Sequence, residues 1–485
     1  MKKIASYWLV FIFVLIFFLR LPSLFTPYSY GDEGIYLTLG EAARRGLVFY
    51  RDIYDNKPPL LYLLAAVSGS LFWFRFLLLG WNLATIYLFF KLAQLLFLRK
   101  ENLIKIATLI FAVLSSIPLF EGNIANAEIF MILPITLGIF LFFKEKTKKP
   151  INYFFIGVLF SLATLFKVPA VFDFLAILVF FVFFLTRAKV NWKLEIGNLS
   201  FLLLGFSLPI IFTFIYWGLM GGLKQYFTAA FMQNLPYLSS WQSGKSSFGF
   251  NFSVINRGIL LLFVTAILWF FRKKWEEVNS FLIIWFLFAL FGATLSGRPY
   301  PHYLIQILAP ASLLFIAVFT ANNYLKIIIL GFLSLILASW FYFHFWYYST
   351  LPYYQNFLSF TLKQKTHEEY FRAFGDRTLQ TYKLAEFLQV HTQKEEKVFI
   401  WGEGSVVYAL SRRLPPGRYA ASYHIIDFGG YEETMKALVN QPTRFIIDLN
   451  DENRPFPEFA AFIAQNYHLF SNIDKAEIFL HNLPK

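Results

Sequence analysis

Apolar runs of bilayer length fill most of the first 348 residues and constrain the fold of this chain more than any other feature. A hydrocarbon core about 30 Å thick accepts helices of roughly 17 to 25 apolar residues. The runs lie near residues 4–21, 74–98, 103–119, 128–143, 151–166, 170–186, 196–218, 256–271, 278–296, 303–320 and 325–346. We therefore expect an α-helical polytopic membrane protein with about eleven transmembrane helices.

The composition of the chain excludes an ordinary soluble protein. Of its residues 58% are hydrophobic, 21% are aromatic and only 15% are charged, whereas soluble domains carry about 25% charged residues. The net charge of +14 does not indicate nucleic acid, because the cations cluster at the ends of the apolar runs. The absence of cysteine excludes disulfides, thiol catalysis and Cys-ligated metal.

The first apolar run could be a signal peptide, because Ile4 to Leu19 follows Met1-Lys2-Lys3. It ends at Arg20-Leu21-Pro22 without a small-x-small cleavage site, and many more apolar runs follow. We therefore interpret it as a retained first transmembrane helix.

The distribution of cations between the runs predicts the orientation of the chain. Alternate connections are rich in Lys and Arg, and those between them, at 120–127, 167–169, 219–255 and 297–302, hold far fewer. The cation-rich connections contain Lys2, Lys3, Arg99, Lys100, Lys105, Lys144, Lys146, Lys148, Lys149, Arg187, Lys189, Lys193, Arg272, Lys273, Lys274 and Lys326. The positive-inside rule then predicts a cytoplasmic N-terminus and an extracytoplasmic C-terminus.

Two long connections on the predicted extracytoplasmic side are more than simple turns. The first runs from Pro22 to about Trp73, and its apolar end, Leu60 to Phe72, is too short to span a bilayer. We expect a juxtamembrane helix there. The second, 219–255, mixes aromatic and polar residues and predicts a surface loop at the lipid headgroups.

After Tyr348 the composition becomes polar and no run is long enough to span a membrane. Val398–Trp401 and Arg444–Asp448 are typical of short strands. Three amphipathic helices are predicted at Tyr382–Val390, Tyr431–Val439 and Phe456–Gln465. The sequence therefore predicts a transmembrane domain, 1–348, and a small extracytoplasmic α/β domain, 349–485.

An acidic pair, Asp32 and Glu33, follows the first helix in the first long connection, between Gly31 and Gly34. Glycines there permit tight backbone turns, and a solvated loop would explain the pair without any function. Lys57, which precedes two prolines, lies in the same connection. A carboxylate that accepts a proton and a cation that binds phosphate are complementary parts of a group-transfer site.

Other polar residues fall in separate connections at the same predicted membrane face. They are Glu121, Glu128, Lys167, Arg298, His302 and Tyr303. A charge near the membrane centre costs about 2.5–3.5 kcal/mol on insertion scales, so such residues line cavities or lie at an interface. Each residue alone is equally well explained as an interfacial anchor. Together, acids and bases from separate connections predict one shared cavity.

The acidic pair after the first helix, followed by Lys57-Pro-Pro-Leu60 at the start of a juxtamembrane helix, resembles the GT-C superfamily of glycosyltransferases. The pattern is most similar to the branch that contains the protein O-mannosyltransferases and the lipid A aminoarabinose transferases (family 39 and relatives). Asn126-Ala-Glu-Ile-Phe130 and Gly297-Arg-Pro-Tyr-Pro-His-Tyr303 are similar to elements of bacterial members. The resemblance covers the whole membrane region.

The resemblance implies an inverting glycosyltransferase that moves a sugar from a polyprenyl-phosphate carrier to a lipid, glycan or protein acceptor at the extracytoplasmic face. It implies Asp32 as the catalytic base or acceptor-orienting carboxylate, Glu33 as its support and Lys57 as the ligand of the lipid phosphate. Further candidates for phosphate binding are Lys167, Arg298 and His302. Candidates for the acceptor site or cavity are Glu121, Glu128, Tyr36 and Tyr303.

The resemblance implies neither a cofactor nor a metal, although a divalent ion remains open if Asp32, Glu33 and Glu128 converge. It favours a bacterial cytoplasmic membrane. The tail carries none of the β-trefoil-type insert of eukaryotic protein O-mannosyltransferases, which puts a protein acceptor in doubt. Trp401-Gly-Glu-Gly404 is a turn and not a nucleotide fingerprint, so we expect a structural or recognition domain.

Other functions stay open on the sequence alone. A transporter or lipid flippase needs an ionisable pathway inside the membrane and often has repeated halves, and no repeat is evident here. A non-catalytic receptor or scaffold would leave the polar membrane face unexplained. A polymerase or ligase acting on diphosphate-linked glycans would differ in its leaving group.

Overall fold

The computed structural model describes residues 2–145, 149–185, 191–233 and 253–482, which fall into two compact units. The first, called the transmembrane unit, lies within Met1–Ser23, Arg75–Ile215 and Asn234–Thr350. The second, called the α/β unit, lies within Leu24–Phe74, Tyr216–Gln233 and Leu351–Lys485. The tail predicted at 349–485 thus groups with two segments that the sequence analysis placed in the membrane domain.

Helices make up most of the described chain. In chain order they are α1 (Lys2–Arg20), α2 (Gly31–Arg44), α3 (Leu60–Ser68), α4 (Leu71–Leu96), α5 (Glu101–Leu114), α6 (Ala127–Lys144), α7 (Pro150–Phe166), α8 (Val171–Leu185), α9 (Trp192–Leu219), α10 (Leu223–Phe227), α11 (Val254–Phe271), α12 (Glu277–Ala293), α13 (Ile305–Thr320), α14 (Asn323–Tyr342), α15 (Thr350–Thr361), α16 (His367–Arg372), α17 (Thr378–His391), α18 (Ser405–Ser411), α19 (Ser422–Asp427), α20 (Tyr431–Asn440) and α21 (Pro457–Asn466).

All eleven helices predicted from the apolar runs are present, as α1, α4 to α9 and α11 to α14. Within the described part of the chain, seven segments are long and apolar enough to cross a membrane: Tyr7–Leu24, Leu71–Leu96, Ala127–Lys144, Trp192–Leu219, Val254–Phe271, Pro301–Thr320 and Asn323–Tyr342. Three further apolar helices are shorter, at Pro150–Phe166, Val168–Phe183 and Glu277–Ala293. The prediction of a multi-pass helical membrane protein is confirmed.

The predicted orientation remains a prediction. Of the cations that supported it, Lys146, Lys148, Arg187 and Lys189 lie outside the described residues, as does most of the predicted surface loop, 234–252.

Close helix packing in the transmembrane unit depends on glycines at a helix crossing. A Cβ atom at Gly157 of α7 would lie 2.1 Å from the Leu202 carbonyl oxygen. One at Gly205 of α9 would lie 2.0 Å from the Phe154 carbonyl oxygen. Small residues let transmembrane backbones approach closely where lipid provides no hydrophobic driving force between helices. The two glycines therefore fix where α7 and α9 cross.

The α/β unit contains a four-stranded mixed sheet of β1 (Phe399–Trp401), β2 (Phe445–Asp448), β3 (Tyr467–Ile473) and β4 (Ala476–His481). Its strand order is β1-β2-β4-β3; β1 and β2 are parallel, and the other pairs are antiparallel. The two predicted strands match β1 and β2, and the three predicted helices match α17, α20 and α21. The β3–β4 hairpin was not predicted.

The first long connection belongs to the α/β unit and forms α2 and α3. The predicted helix at Leu60–Phe72 is present as α3, which ends at Gly69 with φ +71°. The expectation that Gly31 and Gly34 form turns is wrong, because both lie inside α2. Gly34 is required by packing: a Cβ there would lie 2.8 Å from the backbone nitrogen of Val406.

Candidate functional site

Asp32 lies in the first turn of α2, which follows Tyr30 in extended conformation. A carboxylate at a helix N-terminus is stabilised by the helix dipole. One turn later, the Tyr36 hydroxyl donates a 2.8 Å hydrogen bond to Asp32 Oδ2. The Asp32 side chain is still 32% exposed, whereas the neighbouring Glu33 is buried. Asp32 therefore combines a fixed position with an accessible carboxylate.

Lys57 is held through its backbone just before α3. Its N–H donates to the Tyr62 hydroxyl at 2.9 Å, and its carbonyl oxygen accepts from the Tyr50 hydroxyl at 2.9 Å. The following proline restricts its backbone further. Its Nζ lies 3.5 Å from Asp32 Oδ2 and 5.0 Å from the centre of the Tyr36 ring. The structure thus brings Asp32, Tyr36 and Lys57 together.

A second carboxylate, Asp55, contacts the same lysine and was missed in the sequence analysis. Its Oδ2 lies 3.6 Å from Lys57 Nζ and accepts a 2.9 Å hydrogen bond from the Tyr62 hydroxyl. Burial opposes ionisation of Asp55, but the charge of Lys57 and the approach of His424 outweigh it. The pKa of the Asp55 carboxyl therefore lies below its usual range. Its position two residues before Lys57 is the sequence signal that could have identified it.

The transmembrane unit contains a second polar cluster, which we call the buried charge network. Lys167, at the end of α7, forms an ion pair with Glu128 in the first turn of α6. His302 Nδ1 contacts Glu121, and His302 Nε2 lies 3.5 Å from Glu128 Oε1. Lys167 Nζ lies 4.0 Å from the centre of the Tyr303 ring. Five of the predicted residues therefore converge.

Backbone geometry holds one end of the buried charge network. Glu121 follows the short 3-10 turn Pro118–Phe120 and has a left-handed conformation with φ 54°. At the next residue, Gly122, a Cβ would lie 2.5 Å from the Ser115 carbonyl oxygen. The fully buried Arg20 donates to the carbonyl oxygens of Gly122 and Ser115. The end of α1 thus fixes the turn that presents Glu121.

Two further predictions concern phosphate binding by Arg298 and a possible metal ion. Arg298 is half-buried in the loop after α12, where its backbone N–H donates to the Ser296 hydroxyl at 3.3 Å. Its role in phosphate binding stays a prediction. Among the described residues, no group of three or more His, Asp or Glu side chains is arranged to hold a metal ion.

No protein-family model matches the chain, and no curated protein matches it either. Solved structures do match. ArnT from Cupriavidus metallidurans bound to undecaprenyl phosphate has 11% sequence identity, a TM-score of 0.58, and a match over 98% of each chain. The apo form of the same protein has 12% identity, a TM-score of 0.58 and the same coverage.

The Archaeoglobus fulgidus oligosaccharyltransferase in its apo form is a more distant match. It has 13% identity and a TM-score of 0.50, over 92% of this chain and 70% of that chain. At such identities the likeness concerns the fold. The chain has a GT-C-like fold, as the sequence predicted.

Proposed function

We propose that this protein is a membrane glycosyltransferase that moves a sugar from a polyprenyl-phosphate carrier to an acceptor. The observation that carries the proposal is the contact between Asp32 and Lys57, 3.5 Å apart and both solvent-accessible, in a chain with the GT-C fold. The structure of ArnT with undecaprenyl phosphate supports a lipid-phosphate donor for this fold. The acceptor is a lipid, glycan or protein.

The chemistry assigned to the pair follows from the charges that develop during transfer. An acceptor hydroxyl becomes a competent nucleophile when Asp32 accepts its proton. The oxygen then bonds to the anomeric carbon, and the bond from that carbon to the phosphate oxygen breaks. The electron pair leaves with the phosphate, whose developing charge Lys57 stabilises. Attack opposite the leaving phosphate inverts the anomeric centre.

The remaining residues receive supporting roles in this proposal. Tyr36 orients Asp32 through its 2.8 Å hydrogen bond, and Glu33 supports α2 from a buried position. Lys167, Arg298 and His302 stay candidates for phosphate binding, and Glu121, Glu128 and Tyr303 for the acceptor cavity. No cofactor is assigned. The proposed location is a bacterial cytoplasmic membrane, with a cytoplasmic N-terminus and reaction at the extracytoplasmic face.

A transfer assay on purified protein in nanodiscs tests the proposal. It compares wild type, Asp32→Asn and Lys57→Ala on a panel of radiolabelled polyprenyl-phosphate sugars. Asp32→Asn should slow sugar release by about 10²- to 10⁴-fold, the range for loss of general-base catalysis, and Lys57→Ala should weaken binding of the carrier. Asp52→Asn is the matched control, because Asp52 lies in the same segment and pairs with Arg51.

Full activity of Asp32→Asn would show that its assigned role is wrong. If wild type turns over no carrier in the panel, carrier binding decides the question. Binding that Lys57→Ala weakens supports the transferase, and no binding of any carrier contradicts it.

The buried charge network favours a transporter or lipid flippase as the second candidate. Ionisable side chains inside a membrane unit often mark ion or substrate pathways, and Glu128 and His302 are both buried here. Uptake of a labelled solute into proteoliposomes would support this function. We expect none under conditions in which the wild-type protein transfers sugar.

A further inference from the structure

His424 is a buried histidine that the proposed chemistry does not use. It lies on α19, is 1% exposed, and its Nε2 lies 3.4 Å from Asp55 Oδ1. Within the described residues, neither ring nitrogen makes a hydrogen bond of standard geometry. Buried polar groups normally have a partner. The carboxylate of Asp55 is therefore the group that accounts for an imidazole in this position.

The rest of the His424 environment is aromatic. The Tyr54 ring meets the imidazole edge-on, with centroids 5.2 Å apart. Tyr423 and Phe428 pack at 4.2 and 6.0 Å. A phenyl ring would satisfy these packing contacts as well as an imidazole does. Packing alone therefore does not require histidine, whereas the approach to Asp55 does.

Hydrogen bonds tie the segment before α19 to the segment before Lys57. The Tyr54 N–H donates to the Arg418 carbonyl oxygen at 2.8 Å. The Arg418 guanidinium donates to the Tyr50 carbonyl oxygen at 3.1 Å, and the Tyr54 and Tyr419 rings pack edge-on at 5.2 Å. These contacts fix the distance between His424 and Asp55. The α/β tail is thereby part of the structure that holds Lys57.

Charge balance gives this arrangement a consequence for anion binding. Lys57 lies between two carboxylates, 3.5 Å from Asp32 and 3.6 Å from Asp55. A lysine shared by two carboxylates has little attraction left for a phosphate. The His424 imidazole, 3.4 Å from Asp55 Oδ1, gives that buried carboxylate a second ionisable neighbour beside Lys57. Neutral donors already serve Asp55, because Oδ1 accepts from the Asn56 N–H at 2.8 Å and Oδ2 from the Tyr62 hydroxyl at 2.9 Å. With the imidazole added, Asp55 depends less on Lys57, which stays available to an incoming anion.

We propose that His424 is a positioning residue, acting through Asp55, that keeps Lys57 placed and available for the phosphate of the lipid carrier. The tail then has a definite role: it completes the donor site by supplying a partner for Asp55. This inference rests on the proposed function, because it takes Lys57 as the phosphate ligand. It goes beyond that function in assigning Asp55 and His424 to the same site.

The test measures binding of undecaprenyl phosphate, without a sugar, to the full-length protein in nanodiscs. His424→Phe keeps the aromatic packing but removes the imidazole nitrogen that approaches Asp55. His424→Gln keeps an N–H donor near the position of Nε2. The matched control is His391→Phe, because His391 is a half-buried histidine of the same unit that stacks on Phe387 at 4.2 Å. Thermal unfolding of each variant is measured alongside.

His424→Phe should raise the Kd about tenfold, the size expected for losing a polar contact with a buried charged group. His424→Gln should stay within about threefold of wild type, and His391→Phe should bind like wild type. In a Lys57→Ala background, His424→Phe should have no further effect, because its influence passes through Lys57. A general loss of stability would not produce this pattern.

Three results would overturn the inference. Wild-type affinity in His424→Phe would do so, as would an equal loss of affinity in the Lys57→Ala background. If His424→Phe lowers the unfolding midpoint, the result for His424→Gln decides. A loss of carrier binding in His424→Gln at normal thermal stability would contradict the proposed role of the His424 N–H. If Lys57→Ala binds undecaprenyl phosphate with the same Kd as the wild-type protein, the proposed function itself would be contradicted. The two failures are therefore distinguishable.

Discussion

Two lysines in this protein have nearly the same surroundings, one in each unit. Lys57 lies beside Asp32 and 5.0 Å from the centre of the Tyr36 ring. Lys167 pairs with Glu128 and lies 4.0 Å from the centre of the Tyr303 ring. The lysine side chains are 18% and 16% exposed. The carboxylates differ: Asp32 is 32% exposed and Glu128 only 3%.

This difference in exposure predicts different roles for the two carboxylates. A general base must reach a substrate hydroxyl within hydrogen-bond distance, and the exposed carboxylate of Asp32 allows that. Glu128 is enclosed by Lys167 and His302. Removing one partner of a buried ion pair strongly destabilises the folded state, because the other charge stays buried and unpaired. We therefore expect the Asp32–Lys57 pair to serve the proposed chemistry, and we propose a structural role for the Glu128–Lys167 pair ahead of the binding roles kept open above.

The largest expected effect comes from breaking the pair in the transmembrane unit. Glu128→Leu leaves Lys167 without its main counter-charge and should lower the free energy of unfolding by about 3–5 kcal/mol. Thermal unfolding of the purified protein in nanodiscs measures the loss. Asp32→Asn, which changes an accessible carboxylate, should leave the unfolding midpoint unchanged.

The double variant Glu128→Leu with Lys167→Met sharpens this test. Apolar side chains of similar size often replace a buried ion pair without loss of stability, so the double variant should recover most of the midpoint. An unchanged midpoint in Glu128→Leu alone would contradict the structural role of the pair. Glu128 would then be a candidate functional carboxylate, as Asp32 is.

A smaller effect is expected at the packing contact that seats α2. Gly34→Ala places a Cβ 2.8 Å from the backbone nitrogen of Val406. Backbone cannot move aside as a flexible side chain can, so overpacking should cost about 1–3 kcal/mol. Gly31→Ala is the matched control, because its Cβ would meet only the Ser405 hydroxyl, at 4.0 Å.

Sugar transfer is measured with both glycine variants. If α2 positions Asp32, turnover should fall with Gly34→Ala and stay normal with Gly31→Ala. Normal stability and turnover in Gly34→Ala would show that the contact with Val406 yields easily. The position of Asp32 would then depend on Tyr36 and Lys57 alone.

The transmembrane helices could be predicted from the sequence because lipid leaves the backbone few choices. A chain inside a bilayer must satisfy its own hydrogen bonds, so an apolar run of sufficient length becomes a helix. The strands β1 and β2 were also predictable, as apolar runs bounded by turns. The β3–β4 hairpin was missed because β3 is mostly exposed and neither strand alternates regularly between apolar and polar residues.

The candidate site was predictable only where its residues lie close together in sequence. Asp32 and Lys57 were singled out by their local pattern. Asp55 and His424 were not, because their meaning depends on contacts between distant segments. The glycines flanking Asp32 were misinterpreted for a related reason. Gly34 is needed because of the Val406 backbone, a tertiary contact that local turn rules do not reveal.

The smallest expected effect concerns the hydrogen bond that orients Asp32. Tyr36→Phe removes the 2.8 Å bond to Asp32 Oδ2 but keeps the ring beside Lys57. A hydrogen bond to a charged group contributes about 1.5–3 kcal/mol at most, and solvent around Asp32 offsets part of its loss. Turnover should therefore fall about tenfold, with carrier binding and thermal unfolding unchanged. Tyr87→Phe, at an exposed position on α4, should have no effect. A loss of carrier binding in Tyr36→Phe would instead mean that Tyr36 acts on Lys57 and not on Asp32. Tyr36 would then have the same relation to Lys57 that Tyr303 has to Lys167.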